Sequence, residues 1–196
     1  MPRRPTRTVP TVLLSGIGGS AAGHWQSWLA GQLAATGREV RFPVLPNADS
    51  PDLTEWLAAL RSTLDGLPDD GFDVVAHSLG AVLWMHHAVS GHPAPRPARV
   101  ALVALPAGDQ LPAGASTFRP IPLDTDGLRK AADGTVLVGG DDDPMCPGGI
   151  ARSYGAPLKM AVTVITGGGH LNVESGFGPW PAVLDWCGRD NLAFIA

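Results

Sequence analysis

The feature that most restricts this 196-residue chain is the alternation of short apolar runs with longer amphipathic stretches. Runs at 9–14, 39–44, 72–76, 100–105, 135–138 and 161–165 are dense in Val, Leu and Ala, the pattern of strands buried on both faces of a parallel sheet. Helical spacing fills the gaps between them. Trp25, Trp28, Leu29 and Leu33 recur at i, i+3, i+4 and i+8, and Leu53, Trp56, Leu57, Leu60 and Leu64 do the same behind a Ser50-Pro51-Asp52 start signal. A helix over 79–89 follows the third strand directly, and 182–187 reads as a closing helix. Strands alternating with helices require right-handed crossovers and a parallel sheet. The expected class is therefore α/β, with about six parallel strands flanked by helices.

A chain of this length forms one domain and buries roughly 70% of its unfolded surface. We expect that domain to span 8–196, preceded by a disordered arm over 1–7. The net charge of −4 leaves no basic stripe for nucleic acid. Two cysteines, Cys146 and Cys187, are too few for a disulfide framework or a structural zinc site. No apolar run reaches the ~18 residues needed to cross a bilayer. Arg3-Arg4 ahead of an apolar stretch imitates an export signal, but Pro10, Gly16, Gly18 and Gly19 interrupt it, so a cytoplasmic location is expected. With charged residues at only 16%, a monomer or weak homodimer is expected. The stretch 106–122, carrying Pro106, Pro112, Pro120 and Pro122, lacks periodicity. It reads either as a mobile loop over a site or as a solvent loop stiffened by proline.

The segment Phe72-Asp73-Val74-Val75-Ala76-His77-Ser78-Leu79-Gly80 runs from a strand through a tight corner into a helix. A serine at such a corner has its hydroxyl lifted clear of the sheet, in front of unpaired helix N–H groups. Small residues are needed two before and two after it, and Ala76 and Gly80 supply them. The competing reading is that Ser78 only caps the helix. A nucleophilic serine needs a base and an orienting carboxylate, which in this arrangement follow in the order acid, then histidine. Gly139-Gly140-Asp141-Asp142-Asp143-Pro144 and Thr166-Gly167-Gly168-Gly169-His170 both stand just past strand ends, where open α/β sheets place their sites. Of the other histidines, His24 precedes the serine, His77 adjoins it and points elsewhere by strand alternation, and His92 sits in a Gly-His-Pro turn. His86 and His87 diverge around a helix and make a poor metal pair. No metal site is expected, and Cys146 reads as packing.

His77-Ser78-Leu79-Gly80, Asp142-Asp143-Pro144, Gly169-His170-Leu171-Asn172 and the tail Ser175-Gly176-Phe177-Gly178-Pro179-Trp180-Pro181 resemble the small serine hydrolases of the retinoblastoma-binding protein 9 / YdeN family. Gly18-Gly19-Ser20 and His24-Trp25-Gln26-Ser27-Trp28-Leu29 match its first loop and helix. The resemblance implies an α/β-hydrolase fold with little or no cap domain and no cofactor. It selects Asp143, the aspartate before proline, over Asp141 and Asp142. It also implies acyl transfer with Ser78 as nucleophile, His170 as base and Asp143 as orienter, but no particular substrate; hydrolysis of small carboxylic esters or thioesters is the expected reaction. Backbone N–H groups of Leu79 and Ile17, with Gly18 next in line, are the expected oxyanion donors. Gly18, Trp25 and His77 are pocket candidates, although Trp25 reads equally as a core residue. Two alternatives stand beside hydrolysis. One is a catalytically silent scaffold that binds a protein partner; the other is an acyltransferase or lactone-forming enzyme with the same three residues.

Overall fold

Each of the six apolar runs contributes a strand to one sheet. The structure, a computed structural model, describes residues 8–91 and 95–194, so the arm over 1–7 and the turn at His92 lie outside the described residues. In chain order the elements are β1 (Thr11–Leu14), α1 (Trp25–Ala35), β2 (Val40–Arg41), α2 (Leu53–Leu64), β3 (Asp73–His77) and α3 (Leu79–Val89). They continue with β4 (Arg99–Val103), α4 (Thr125–Ala131), β5 (Gly134–Gly140), α5 (Ala156–Leu158), β6 (Val162–Ile165) and α6 (Pro181–Gly188). All pairings are parallel, in the order β2-β1-β3-β4-β5-β6.

Alternation along each strand divides the interior into two cores. Val12, Leu14, Val74, Ala76, Val100 and Leu102 face the layer containing α2, α3 and α4. Leu13, Val75, Ala101, Val103, Val136 and Val138 face the layer containing α1 and α6. Because both faces are covered, the strands are apolar on both sides rather than alternating with polar residues.

Three departures from the sequence reading have local causes. The run 39–44 yields only two paired residues, because Pro43 cannot donate to the ladder and β2 is an edge strand. Strand β5 extends through Gly139 and Gly140, where a side chain on Gly140 would collide with the Gly169 backbone. Helix α4, unforeseen in the sequence, starts on Asp124, whose carboxylate accepts from the N–H groups of Asp126 (3.0 Å) and Gly127 (2.9 Å).

The segment 106–122 contains two 3₁₀ turns, Gly108–Gln110 and Ala113–Phe118, and it is pinned from within. Leu111, Ala115 and Phe118 are buried, and the Phe118 ring meets Trp56 edge-on at 5.3 Å. Among the described residues, no helix is long and apolar enough to cross a membrane.

The chain leaves β1 outward to β2 and then crosses back to β3, so the sheet order reverses at β1 and β3. The crevice beyond the carboxyl ends of those two strands is where such sheets bind ligands. Both the first loop and the Ser78 corner open there.

Candidate active site

Ser78 joins β3 to α3 with φ 53° and ψ −123°, a backbone conformation that a non-glycine residue rarely adopts. The corner stays closed because α3 starts directly against β1. A side chain on Gly80 would lie 2.5 Å from the Leu14 carbonyl oxygen and 2.6 Å from that of Ser15. Ala76, two residues before the serine, fits fully buried in the core. Ser78 makes no side-chain capping bond to α3. Its hydroxyl instead donates to His170 Nε2 at 2.9 Å.

On its other side His170 Nδ1 lies 3.0 and 2.9 Å from the two carboxylate oxygens of Asp143. An ionised carboxylate only accepts, so this contact places the imidazole proton on Nδ1 and leaves Nε2 to accept from the serine. Asp143 is 4% exposed and also accepts from the Met145 N–H at 2.8 Å. Its two neighbours perform another task. Asp141 accepts from Gly167 N–H at 2.8 Å and Asp142 from Gly169 N–H at 2.6 Å, tying the glycine loop before His170 to the end of β5.

Several side chains fix that loop from behind. Trp25 Nε1–H donates to the Leu171 carbonyl at 2.8 Å, and its ring meets Trp180 edge-on at 5.2 Å. Trp25 is 0% exposed, which corrects the expectation that it lines the pocket: the indole packs into the core under the histidine loop. His77 Nε2–H donates to the His170 carbonyl at 3.0 Å, and its ring also borders the groove. Ser175 Oγ accepts from His170 N–H at 3.0 Å and donates to Asn172 Oδ1 at 2.9 Å. Gln26, fully buried, donates to the carbonyls of Leu14 (3.0 Å) and Val75 (3.3 Å), joining the ends of β1 and β3. The roles of Ser175 and Gln26 escaped the sequence reading. The available signal for Gln26 was a polar residue beside the apolar stripe of α1.

His24 caps α1 by accepting the Gln26 N–H on Nδ1 at 3.1 Å, and its ring lies 5.0 Å from that of His77. Burial lowers the His24 pKa to about 4, outweighing the nearby Glu174 carboxylate, which acts in the opposite direction. Burial likewise holds His77 well below the usual imidazole range, with His170 and His24 adding to the effect. Both rings are therefore neutral at physiological pH. His86 and His87 part company as expected, with His86 Nε2–H donating to the Phe118 carbonyl (3.0 Å) and His87 beside Trp84. Cys146 is buried, and burial raises its thiol pKa.

Ser78 and His170 open onto a groove of about 690 Å³, with Asp143 buried behind them. Gly16, Ile17 and Gly18 form one wall, Gln110 and Pro112 another, and Val173 and Glu174 a third. A side chain on Gly16 would lie 2.9 Å from Ser78 Cβ, so the first loop presses against the Ser78 corner. The Gly18 N–H is already committed to the Ala48 carbonyl at 2.9 Å. Leu79, as the first residue of α3, has no acceptor one turn back within its helix.

Comparison with known proteins identifies the family and the fold. A family model described as serine hydrolase matches residues 11–188. YdeN of Bacillus subtilis (strain 168), named as a hydrolase, is 24% identical over 183 residues, covering 91% of this chain and 94% of its own. Its crystal structure superposes with a TM-score of 0.77 over 91% of this chain and 96% of that one. A YdeN-like hydrolase from Pectobacterium atrosepticum, 22% identical, has a TM-score of 0.71 over 91% and 88% of the two chains. An extracellular α/β-hydrolase from a Paenibacillus species, 14% identical, has a TM-score of 0.62 over 93% and 100%. Since the family match runs from the first residue of β1 to the last of α6, the chain belongs to the serine hydrolase family.

Proposed function

We propose that the protein cleaves small carboxylic esters or thioesters through an acyl-enzyme on Ser78. The observation that carries this reading is the unbroken chain from Ser78 Oγ to His170 Nε2 (2.9 Å) and from His170 Nδ1 to the Asp143 carboxylate (2.9 Å), at the mouth of a groove.

In the first step Ser78 Oγ attacks the substrate carbonyl carbon and its proton passes to His170 Nε2. The imidazolium then gives that proton to the departing alcohol or thiol as the acyl–leaving-group bond breaks. Asp143 holds the ring in the Nδ1–H tautomer and stabilises its charged form. In the second step water attacks the acyl-serine with His170 again taking the proton, and Ser78 leaves with it. The developing oxyanion is held by the backbone N–H groups of Leu79 and Ile17, each such donor worth roughly 2.7–4 kcal/mol in the transition state. The engagement of Gly18 N–H by Ala48 favours Ile17 as the second donor. The segment 106–122 acts as a fixed wall, since Leu111, Ala115 and Phe118 anchor it in the core.

Intact-mass measurement after exposure to a fluorophosphonate tests the reading. A single adduct on the wild type that disappears in Ser78→Ala, with unchanged melting temperature, is expected. A well-folded wild type that takes no adduct would place the silent-scaffold alternative ahead.

A further inference from the structure

The cations of this chain are distributed unevenly with respect to the groove. No lysine or arginine occurs at 8–37, 62–95, 100–118, 131–151 or 160–188, and these stretches contain every loop that lines it. The basic residues Arg38, Arg96, Arg99, Arg129, Lys130 and Lys159 stand instead where helices hand over to strands, at the opposite edge of the sheet. Arg119 borders a separate cavity with Ile121, Leu123 and Tyr154, and donates to the Leu111 carbonyl.

Among the described residues that line the groove, the ordinary charged side chain beside the Ser78–His170 pair is the carboxylate of Glu174, four residues past His170. His24 and His77, held neutral by burial, supply no balancing charge. Asp141 and Asp142 add further negative charge at the adjoining end of β5. The remaining wall is apolar or uncharged, including Ile17, Ala21, Pro112, Met145 and Val173.

We infer that the groove admits uncharged or cationic acyl substrates and rejects anionic ones, with Glu174 as the residue that enforces the choice. The inference rests on the ester-hydrolase reading and narrows it. The charge that Glu174 opposes is one on the acyl chain close to the reacting carbonyl: a carboxylate there meets no lysine or arginine in the groove wall, whereas a neutral ester meets no penalty. Glu174 is exposed on its loop, so its field acts through a high effective dielectric and produces discrimination of modest size that salt weakens.

Two substrates matched in chain length separate the possibilities: the p-nitrophenyl methyl diester of adipic acid, which is neutral, and mono-p-nitrophenyl adipate, whose acyl chain ends in a carboxylate. Wild type should favour the neutral ester in kcat/KM, read as p-nitrophenol release. Glu174→Gln should narrow that preference by about three- to tenfold, mostly by raising the rate on the carboxylate ester, and 0.5 M salt should narrow it more in wild type than in the variant. An unchanged ratio in Glu174→Gln, or a wild type that prefers the carboxylate ester, overturns the inference. Labelling of Ser78 by neutral and carboxylate-tailed fluorophosphonates distinguishes the two levels of the argument. Equal labelling rates sink the charge selectivity and leave the hydrolase reading standing, whereas no labelling by either removes both.

Discussion

Gly16 and Ser78 touch so closely that a methyl group on Gly16 would lie 2.9 Å from Ser78 Cβ and 3.3 Å from its hydroxyl oxygen. The first loop is thus seated by the Ser78 corner, and the position of the proposed oxyanion donor at Ile17 depends on that seat. Gly16 does not have a positive φ, so alanine is tolerated by the backbone and any loss reports crowding alone.

Gly16→Ala should lower kcat/KM for a p-nitrophenyl ester by about 10²-fold, the scale of a 1 Å misplacement of reacting groups. The accompanying loss of stability should be about 1–3 kcal/mol. Gly23→Ala, on the same loop but with open space around its Cβ, should change neither. Equal activity in both variants would show that the loop yields without consequence.

Three consecutive aspartates make a second test. Asp143→Asn leaves one oxygen, which the Met145 N–H occupies, and turns an NH2 donor toward His170 Nδ1, so it favours the wrong imidazole tautomer and should reduce kcat on the order of 10⁴-fold. Asp142→Asn retains a carbonyl oxygen able to accept from Gly169 N–H, and Asp141→Asn does the same for Gly167, so each should stay within a few-fold of wild type. Steady-state kinetics on the three purified variants decide it. Comparable losses at all three positions would mean that loop anchoring, not imidazole orientation, limits the rate.

What the sequence makes legible is local. Ser78 follows β3 directly, and Asp143 and His170 stand a few residues past β5 and β6, within glycines and polar residues that end the apolar run. The three places are therefore visible without tertiary information, although only the family resemblance picks Asp143 from the three aspartates. Helix α3 keeps the expected bounds because its apolar run starts at the corner and stops at Ser90. The supporting contacts are illegible for the opposite reason. Trp25 meets Leu171 across 146 residues, and Gln26 reaches two strand ends at once. An indole in an apolar stripe looks the same whether it lines a pocket or backs a loop, which is why the sequence leaves Trp25 open between pocket and core. Helix α4 went unnoticed because Thr125-Asp126-Gly127 begins it with weak helix formers over only seven residues.

The indole of Trp25 gives a third prediction. Trp25→Phe keeps a ring in contact with Trp180 and His77 but leaves the Leu171 carbonyl without its donor. An unsatisfied buried carbonyl costs about 1–3 kcal/mol, so thermal unfolding should shift down by several degrees. Because the loss falls on the His170 loop, kcat should drop while KM holds. A fall in KM-linked binding with intact kcat would instead put Trp25 in contact with substrate.

His24 and His77, both buried beside the groove, make stability fall in acid. Burial holds the folded-state pKa of His24 at about 4 and that of His77 well below 6.5, while both take up protons near 6.5 in the unfolded chain. Above that pH neither state is protonated and the groups contribute no pH dependence. As pH falls below 6.5, the unfolded chain binds protons that the folded protein refuses, so stability is lost through this range. The His24 share is complete near pH 4, where the folded imidazole also titrates. His24→Asn separates this effect from the titration of carboxylates. Asparagine is a favoured N-cap and its Oδ1 can replace Nδ1 as acceptor for the Gln26 N–H, so the cap survives while the titration disappears. Urea midpoints at pH 7.5, 6, 5 and 4.5 should therefore fall less steeply in His24→Asn than in wild type, with the two proteins closest in stability at pH 7.5. Parallel curves would mean that the His24 ring takes its proton in the folded state as readily as in the unfolded one.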